Sequence, residues 1–386
     1  MERKIKVGLV GLGAVSQRGI LPHLLQDDAR EKIDAVALCD NVPGRAQASC
    51  EKWRWREAYT EYEEMLTRAE IEAVLIATPI PLHYRQIIAG LAAGKHVYVQ
   101  KTMTTTLAEA REVVDIARTK RLKLCASPGT IFRPPTPQIR DLIAQGLLGK
   151  VYWAFTGQQS PGHEYEGIRR DDDLLSNIDP TWYYKPGGGP VHDMAVYNIH
   201  EMTDILGPAK RVSAMSGIGL PVRQWKDKTI TVEVDDNTLL MLDFGDSRFA
   251  VVYGANCGGG AIPRMAIFGS DGMVQVGNPV SSKELPTGEL ASSQRQGFGP
   301  PASITSRHIV GGETYIDRPE LPYRTEPHRS IYADHVYADI MHLIDCIILN
   351  QEPILSGARA CHVIEIIEKG YQAAREGRTL ELTPMP

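Results

Sequence analysis

The chain has 386 residues, 43% hydrophobic and 23% charged, an ordinary globular balance that at roughly 100–200 residues per domain predicts two domains. A net charge of −5 offers no basic surplus for nucleic acid or anionic lipid, and no apolar run approaches the ~20 residues of a membrane span. The six cysteines are scattered without a CxxC pair and read as reduced core residues, and Met1–Gly13 runs directly into a strand, which predicts a cytoplasmic chain without a signal peptide.

Strands and helices alternate from the start. Lys4–Val10 reads as a buried strand, followed by a glycine turn and a helix to about Gln26; Ala35–Cys39 is the next strand and Arg45–Trp53 the next helix. Glu61–Arg68 is helical, with Thr60–Glu63 as its capping box. Ala73–Thr78 is a further strand, Tyr84–Ala93 a helix and Val97–Gln100 a strand. Leu107–Thr119 is amphipathic behind the capping box Thr106–Glu109, and Lys123–Ala126 closes the set. Continuous apolar strands alternating with helices predict a doubly wound parallel sheet, an α/β domain over residues 1–126.

The proline-rich Ser127–Pro137 marks the boundary to a second domain, residues 127–386. Gln138–Gln145 reads as a helix. Val151–Thr156, Arg211–Ser216, Thr229–Val234, Thr238–Phe244, Phe249–Tyr253 and Met265–Phe268 read as strands separated by Asp and Gly turns, a largely antiparallel sheet. Gly277–Arg329 carries no predicted element, and helices at about Ala333–Leu349 and Ala358–Arg375 end the chain.

Gly11-Leu12-Gly13-Ala14-Val15-Ser16 lies between the first strand and the first helix. Gly11 and Gly13 permit a tight turn and close approach of a pyrophosphate to the helix N-terminus, and small Ser16 stands in for a third glycine. Asp40 ends the next strand, where a carboxylate bonds ribose hydroxyls and repels a 2′-phosphate. This predicts NAD over NADP, with Arg45 near enough to leave dual specificity open. Thr78 and Pro79 end a strand beside the expected nicotinamide, and His83 reads equally as a helix-start residue or a ligand. Lys101, straight after a buried strand, sits at the sheet rim where open α/β folds bind ligands.

"VGLVGLGAVS", "CD" at 39–40, "AVLIATPIPLH", "AGKHVYVQKT" and "GGGPVHDMAVY" resemble, in order and spacing, the glucose–fructose oxidoreductase / inositol dehydrogenase / MocA-like family. The likeness runs from residue 5 to about residue 210 and resumes in "VDDNTLLMLDFGDS", "AIFGSDGMVQV" and the last helices. It implies a dinucleotide domain joined to an α/β domain with a large open sheet that often makes oligomer contacts. It also implies hydride transfer between NAD(P) and a hydroxyl-bearing carbon of a sugar or cyclitol. The family's E-K-P motif carries a catalytic lysine; Lys101 matches it, while Gln100 and Thr102 depart from its neighbours. Loss of the carboxylate at Gln100, which borders the cofactor side, predicts a lysine that holds its proton less firmly.

In Lys185–Gly207, Asp193 matches the family's substrate-orienting aspartate, and Tyr197 stands where many members carry a general-base histidine. Asp193, Tyr197 and His200 share one helical face, so Lys101 with Tyr197, or His200 directly, is expected to relay the alcohol proton, Lys101 making the phenolate more accessible. Trp182 and Tyr183 offer an apolar platform for a pyranose and Arg169 a hydroxyl contact, or alternatively an oligomer surface; Arg133 is a further substrate contact. His192 and Asp193 are adjacent and diverge on a helix, so no metal site is expected.

The expected activity is an NAD-dependent oxidation of a secondary alcohol of a sugar, glycoside or cyclitol, with pyranose C3 as the candidate carbon. One alternative retains NAD and uses transient oxidation for lyase, hydratase or glycosidase chemistry; another is a non-catalytic nucleotide sensor. Homo-oligomerisation, as a dimer or higher, is expected through the C-terminal sheet.

Overall fold

The computed structural model describes residues 3–258, 264–277, 302–309, 312–316 and 322–384. In the first part, β1 (Ile5–Val10), β2 (Ile33–Cys39), β3 (Glu57–Tyr59), β4 (Ala73–Ile76), β5 (His96–Val99) and β6 (Leu124–Ala126) pair in parallel in the order β3-β2-β1-β4-β5-β6. Apart from the edge strand β3, their side chains are largely buried on both faces, which is why these strands read as continuous apolar runs. The order reverses between β1 and β4, and the crevice beyond their carboxyl ends is where such sheets take ligands.

The connecting helices are α1 (Leu21–Leu24), α2 (Asp27–Lys32), α3 (Arg45–Trp53), α4 (Tyr62–Arg68), α5 (His83–Ala92) and α6 (Leu107–Lys120). The first expected helix is instead a π-type turn at Ser16–Ile20 followed by the short α1. Pro22, which has no N–H to donate back to Arg18, sits where the wide turn gives way. The Thr106–Glu109 capping box forms as read, but α4 starts at Tyr62 with Glu61 as N-cap, which leaves Thr60 outside the turn and its box unmade. β3, unpredicted, is a three-residue edge strand too short for a periodic signal.

Beyond α7 (Thr136–Ala144) the chain builds a second sheet on β7 (Val151–Gln159). α8 (Val196–Leu206) precedes β8 (Arg211–Gly217). A separate hairpin, β9 (Val222–Trp225) with β10 (Lys228–Thr231), follows in place of the single strand expected at Thr229–Val234. Next come β11 (Asn237–Gly245), β12 (Arg248–Ala255), β13 (Met265–Gly269), β14 (Gly272–Val276), β15 (Ala302–Ser306) and β16 (Glu313–Tyr315). The last two are strands inside the stretch read as element-free, much of which (278–301, 310–311 and 317–321) lies outside the described residues. After α9 (Asp334–Ile348) and α10 (Gly357–Glu376), β17 (Leu380–Glu381) completes a nine-stranded sheet, antiparallel except where β7 meets β12.

One face of this sheet (Val212, Leu240, Leu242, Phe244, Ala250 and Val252) packs on Ile199 and Met202 of α8 and Ile366 and Ile367 of α10. The other exposes Met215, Leu239, Met241, Phe249 and Trp153. α9, although late in the chain, lays Val336, Ile340, Leu343 and Ile344 into the core of the first sheet, which binds the two parts together at the crevice.

Candidate active site

The glycine turn between β1 and the first helix is built for close approach. Gly11 has φ +88, and a Cβ there would lie 2.7 Å from the Ala77 carbonyl oxygen, so only glycine carries the chain past β4. Asp40, at the end of β2, accepts from Leu12 N at 2.8 Å and Val42 N at 2.9 Å; its buried carboxylate is fixed beside the turn. Ser16 Oγ closes the loop on Gly11 O at 2.6 Å. Ala14 is buried and Val15 packs against the first core. A glycine cradle with a strand-end carboxylate fits a dinucleotide: Gly11, Gly13, Ala14 and Val15 could hold its pyrophosphate and Asp40 its ribose.

Arg45 is placed differently from expectation. Its guanidinium donates to Leu174 O and Asn177 O at 3.1 Å each and stands 3.5 Å from Asp40, so it clasps a segment of the second domain. That segment brings Ile178 to within 4.0 Å of a Cβ built on Gly13. His83 is fully buried with its ring nitrogens 2.8 Å from the carbonyls of Thr102 and Thr78, a strut between two strand ends rather than a cleft ligand. Thr78 Oγ1 donates to Gln86, and Gln100 N is held by Ile76 O at 2.9 Å, so Thr78, Pro79 and Gln100 shape the rim from which Lys101 emerges.

Lys101 meets Asp193 across the domain junction. Its Nζ lies 2.5 Å from both Asp193 Oδ1 and the Asp193 carbonyl, and the side chains are 16% and 7% exposed. Asp193 reaches this position from a π-type turn, Val191–Ala195, that leads into α8 after the three glycines. Gly188 is required there: a Cβ would fall 2.5 Å from Tyr183 O and 2.6 Å from Trp182 O. Asp193 Oδ2 lies 2.8 Å from Nε2 of His163, whose Nδ1 is 2.8 Å from Glu166 Oε1. Arg169 supports Glu166 at 3.1 Å and Tyr183 Oη at 3.0 Å, and Tyr183 stacks on the His163 ring at 3.7 Å and on Trp182 at 3.8 Å.

These contacts set the protonation states. Burial would lower the Lys101 pKa, but the Asp193 carboxylate raises it above the ordinary lysine value. The expectation that Gln100 loosens the proton is thus corrected, because Asp193 supplies the anion from the other domain. Burial pushes Asp193 upward, and Lys101 with His163 overrides that and holds it well below the carboxylate range. His163 is raised, burial notwithstanding, by Asp193 and Glu166, and Glu166 is brought down to about 2 by His163, Arg169 and Arg18 against its own burial. The result is an alternating row of Lys101, Asp193, His163 and Glu166.

Two expected proton carriers are not in that row. Tyr197 lies below Lys101, its ring centroid 5.5 Å from Nζ, while its hydroxyl faces His335 Nε2 at 3.3 Å. Burial raises its pKa in spite of Lys101 and Arg133, so the phenolate expected beside a lysine is disfavoured. His200 lines a small cleft with Asp204, Arg359, Pro128 and Ile131, away from Lys101, and burial lowers it to about 4. Asp193 lies inside the π-type turn Val191–Ala195 and His200 in α8, so the two do not belong to the one regular helix that the i, i+7 spacing assumed. Arg169 is 1% exposed and supports His163 from behind, whereas Trp182 and Tyr183 are half-buried beside it. Sequence reasoning passed over His163, whose only signal is its place in the aromatic, charged segment Gly162–Pro186.

Residues 5–127 match the Gfo/Idh/MocA oxidoreductase family with its NAD-binding Rossmann fold, and residues 136–275 match a C-terminal domain of the same family. A trans-1,2-dihydrobenzene-1,2-diol dehydrogenase of Mus musculus is 25% identical over 314 residues, 81% of this chain and 85% of its own. D-glucoside 3-dehydrogenase of Escherichia coli K12 is 27% identical over 215 residues, 55% of this chain and 57% of that one. The chain thus spans less than two thirds of the length of several curated relatives. A levoglucosan dehydrogenase solved with NADH and levoglucosan superposes with a TM-score of 0.75 at 16% identity, over 99% of this chain and all of that one. With both domains matched and the dinucleotide cradle in place, the chain belongs to the Gfo/Idh/MocA family of oxidoreductases.

Proposed function

We propose that the protein is an NAD-dependent dehydrogenase acting on a secondary alcohol of a sugar, glycoside or cyclitol. The observation that carries this is the ion pair of Lys101 with Asp193, formed where the dinucleotide crevice meets the second domain. Bound NAD supplies the hydride chemistry. Lys101 Nζ, oriented by Asp193, gives a proton to the substrate oxygen during reduction and, as the neutral amine, takes the alcohol proton during oxidation. His163 and Glu166 hold Asp193 ionised and oriented, and Trp182 offers an apolar face to a ring. The E. coli relative named for glucoside C3 chemistry supports a pyranose C3 as the carbon oxidised.

The buried Asp40 carboxylate would repel a 2′-phosphate, and Arg45, occupied by two carbonyls, is not free to receive one; both favour NAD over NADP. The test is NADH absorbance on mixing purified protein and NAD with a panel of sugars, glycosides and inositols, with NADP as the comparison. No reduction across the panel, or full turnover by Lys101→Met, refutes the reading.

A second reading, in which NAD stays bound through lyase, hydratase or glycosidase turnover, draws support from the Leu174–Ile178 segment clasped over the glycine turn by Arg45. Product formed on substoichiometric NAD without accumulating NADH selects it. Self-association is proposed through the exposed Trp153, Met215, Leu239, Met241 and Phe249, an apolar face on an open sheet. Phe249→Asp should shift the sedimentation coefficient toward the monomer; an unchanged value refutes it.

A further inference from the structure

The charges around Tyr197 do not balance for a neutral sugar. Lys101 Nζ and Arg133 Cζ each lie 5.5 Å from the centroid of the Tyr197 ring, so the two cations are separated by no more than twice that distance. Lys101 is compensated by Asp193. Among the described residues no carboxylate comes within ion-pair distance of Arg133, whose guanidinium lies over the Tyr197 ring and acts on Asp334 and Asp339 only at longer range. Two other arginines that act on Asp334 or His335 are paired, Arg264 with Glu201 and Arg324 with Asp334, the latter at 3.2 Å.

The acids nearest Arg133 do little to offset it. Asp334 is shared with Arg324 and is pushed up by burial, and Asp339, which accepts from Ser127 Oγ and Gly129 N, is raised by burial to about 7. His335, bonded to the Tyr197 hydroxyl, is lowered first by burial and then by Arg133 and Lys101, so it presents no positive charge of its own. An oxidised nicotinamide beside Lys101 would add a further positive charge. A half-buried guanidinium with no ion-pair partner among the described residues, one ring away from the Lys101 ammonium, suits an anion.

We propose that the substrate is a carboxylate-bearing polyol or sugar acid, whose carboxylate pairs with Arg133 while a ring hydroxyl lies at Lys101. The proposal rests on the dehydrogenase reading and narrows its substrate class. Tyr197 then serves as the floor between the two ends, which accounts for an aromatic ring where a base was expected. The planar guanidinium suits a bidentate carboxylate contact, which lysine cannot reproduce.

The test compares methyl glucuronide with methyl glucoside, and glucuronate with glucose, pairs that differ in the carboxylate. NADH formation and tryptophan-fluorescence binding titrations are the two readouts. The acids should be preferred by about tenfold or more in kcat/KM and in Kd, the worth of one partly buried ion pair. In Arg133→Gln that preference should collapse to within about twofold, chiefly through KM and Kd, with Arg133→Lys intermediate. Equal or better use of the neutral sugars by the native protein overturns the proposal and leaves the dehydrogenase reading standing. Acids that bind through Arg133 without reducing NAD keep the anion site and overturn the redox reading. Neither binding nor reduction by either class overturns both.

Discussion

Replacing Asp193 by asparagine keeps the shape of the side chain and removes its charge from the middle of the Lys101–Asp193–His163–Glu166 row. Lys101 Nζ and Asp193 Oδ1 are 2.5 Å apart with both side chains largely buried, and removing one partner of such a pair costs about 3–5 kcal/mol. If about 3 kcal/mol of that is felt when charge develops on the substrate oxygen, kcat/KM falls by ~10². In the native protein the Asp193 contribution to stability is present above 3.8 and lost as pH falls through its depressed folded value. The Lys101 contribution is present below 10.5 and lost as pH rises through its raised folded value. Without the carboxylate, burial is opposed only by Tyr197 and Tyr183, so the Lys101 pKa falls from its native value and the alkaline limb of the rate profile moves to lower pH. A second assay needs no substrate. The rate at which Lys101 is acylated by a water-soluble ester, followed by mass spectrometry across pH, should rise in Asp193→Asn because more of the amine is neutral. An unchanged labelling profile together with unchanged kcat/KM would refute the role assigned to the pair.

His163→Gln, which removes the cation between Asp193 and Glu166, should lower kcat by about tenfold or more and leave the fold intact; native kcat and pH profile would place His163 outside the site. Gly188→Ala drives a Cβ against the Trp182 and Tyr183 carbonyls and should cost about 1–3 kcal/mol, read as a lowered thermal midpoint. His83, His192 and His200 are buried neutral, each lowered by burial from 6.5 to about 4, so the unfolded chain takes up the protons. Their contribution to stability is complete above 6.5 and is lost as pH falls toward 4. Each should contribute a slope of about 1.4 kcal/mol per pH unit in that window, measurable by urea unfolding; a flat profile refutes the burial argument.

The first domain was legible because each of its parts leaves a local mark. Buried parallel strands are continuous apolar runs, Thr106 and Glu109 cap α6 within four residues, and Gly11, Gly13 and Asp40 stand at fixed offsets from strand ends. Lys101 was singled out by its place straight after a buried strand, and Asp193 only through the family resemblance. What the sequence could not supply was which groups share space across long separations. Asp193 compensates Lys101 from 92 positions away, which no local rule about Gln100 anticipates. His163 reaches Asp193 because a 3-10 turn and the stacked Tyr183 carry it there, and Arg45, read as near enough to leave dual specificity open, bonds the carbonyls of Leu174 and Asn177 from the second domain. Asp193 lies in the π-type turn Val191–Ala195, while Tyr197 and His200 lie in the regular helix after it, the first beside Arg133 and His335 and the second beside Asp204. Local sequence determines the elements and the residues able to do chemistry. Packing between domains determines which charges meet, and with them which group holds the proton, because Coulomb interactions in a buried junction depend on distance in space and not along the chain.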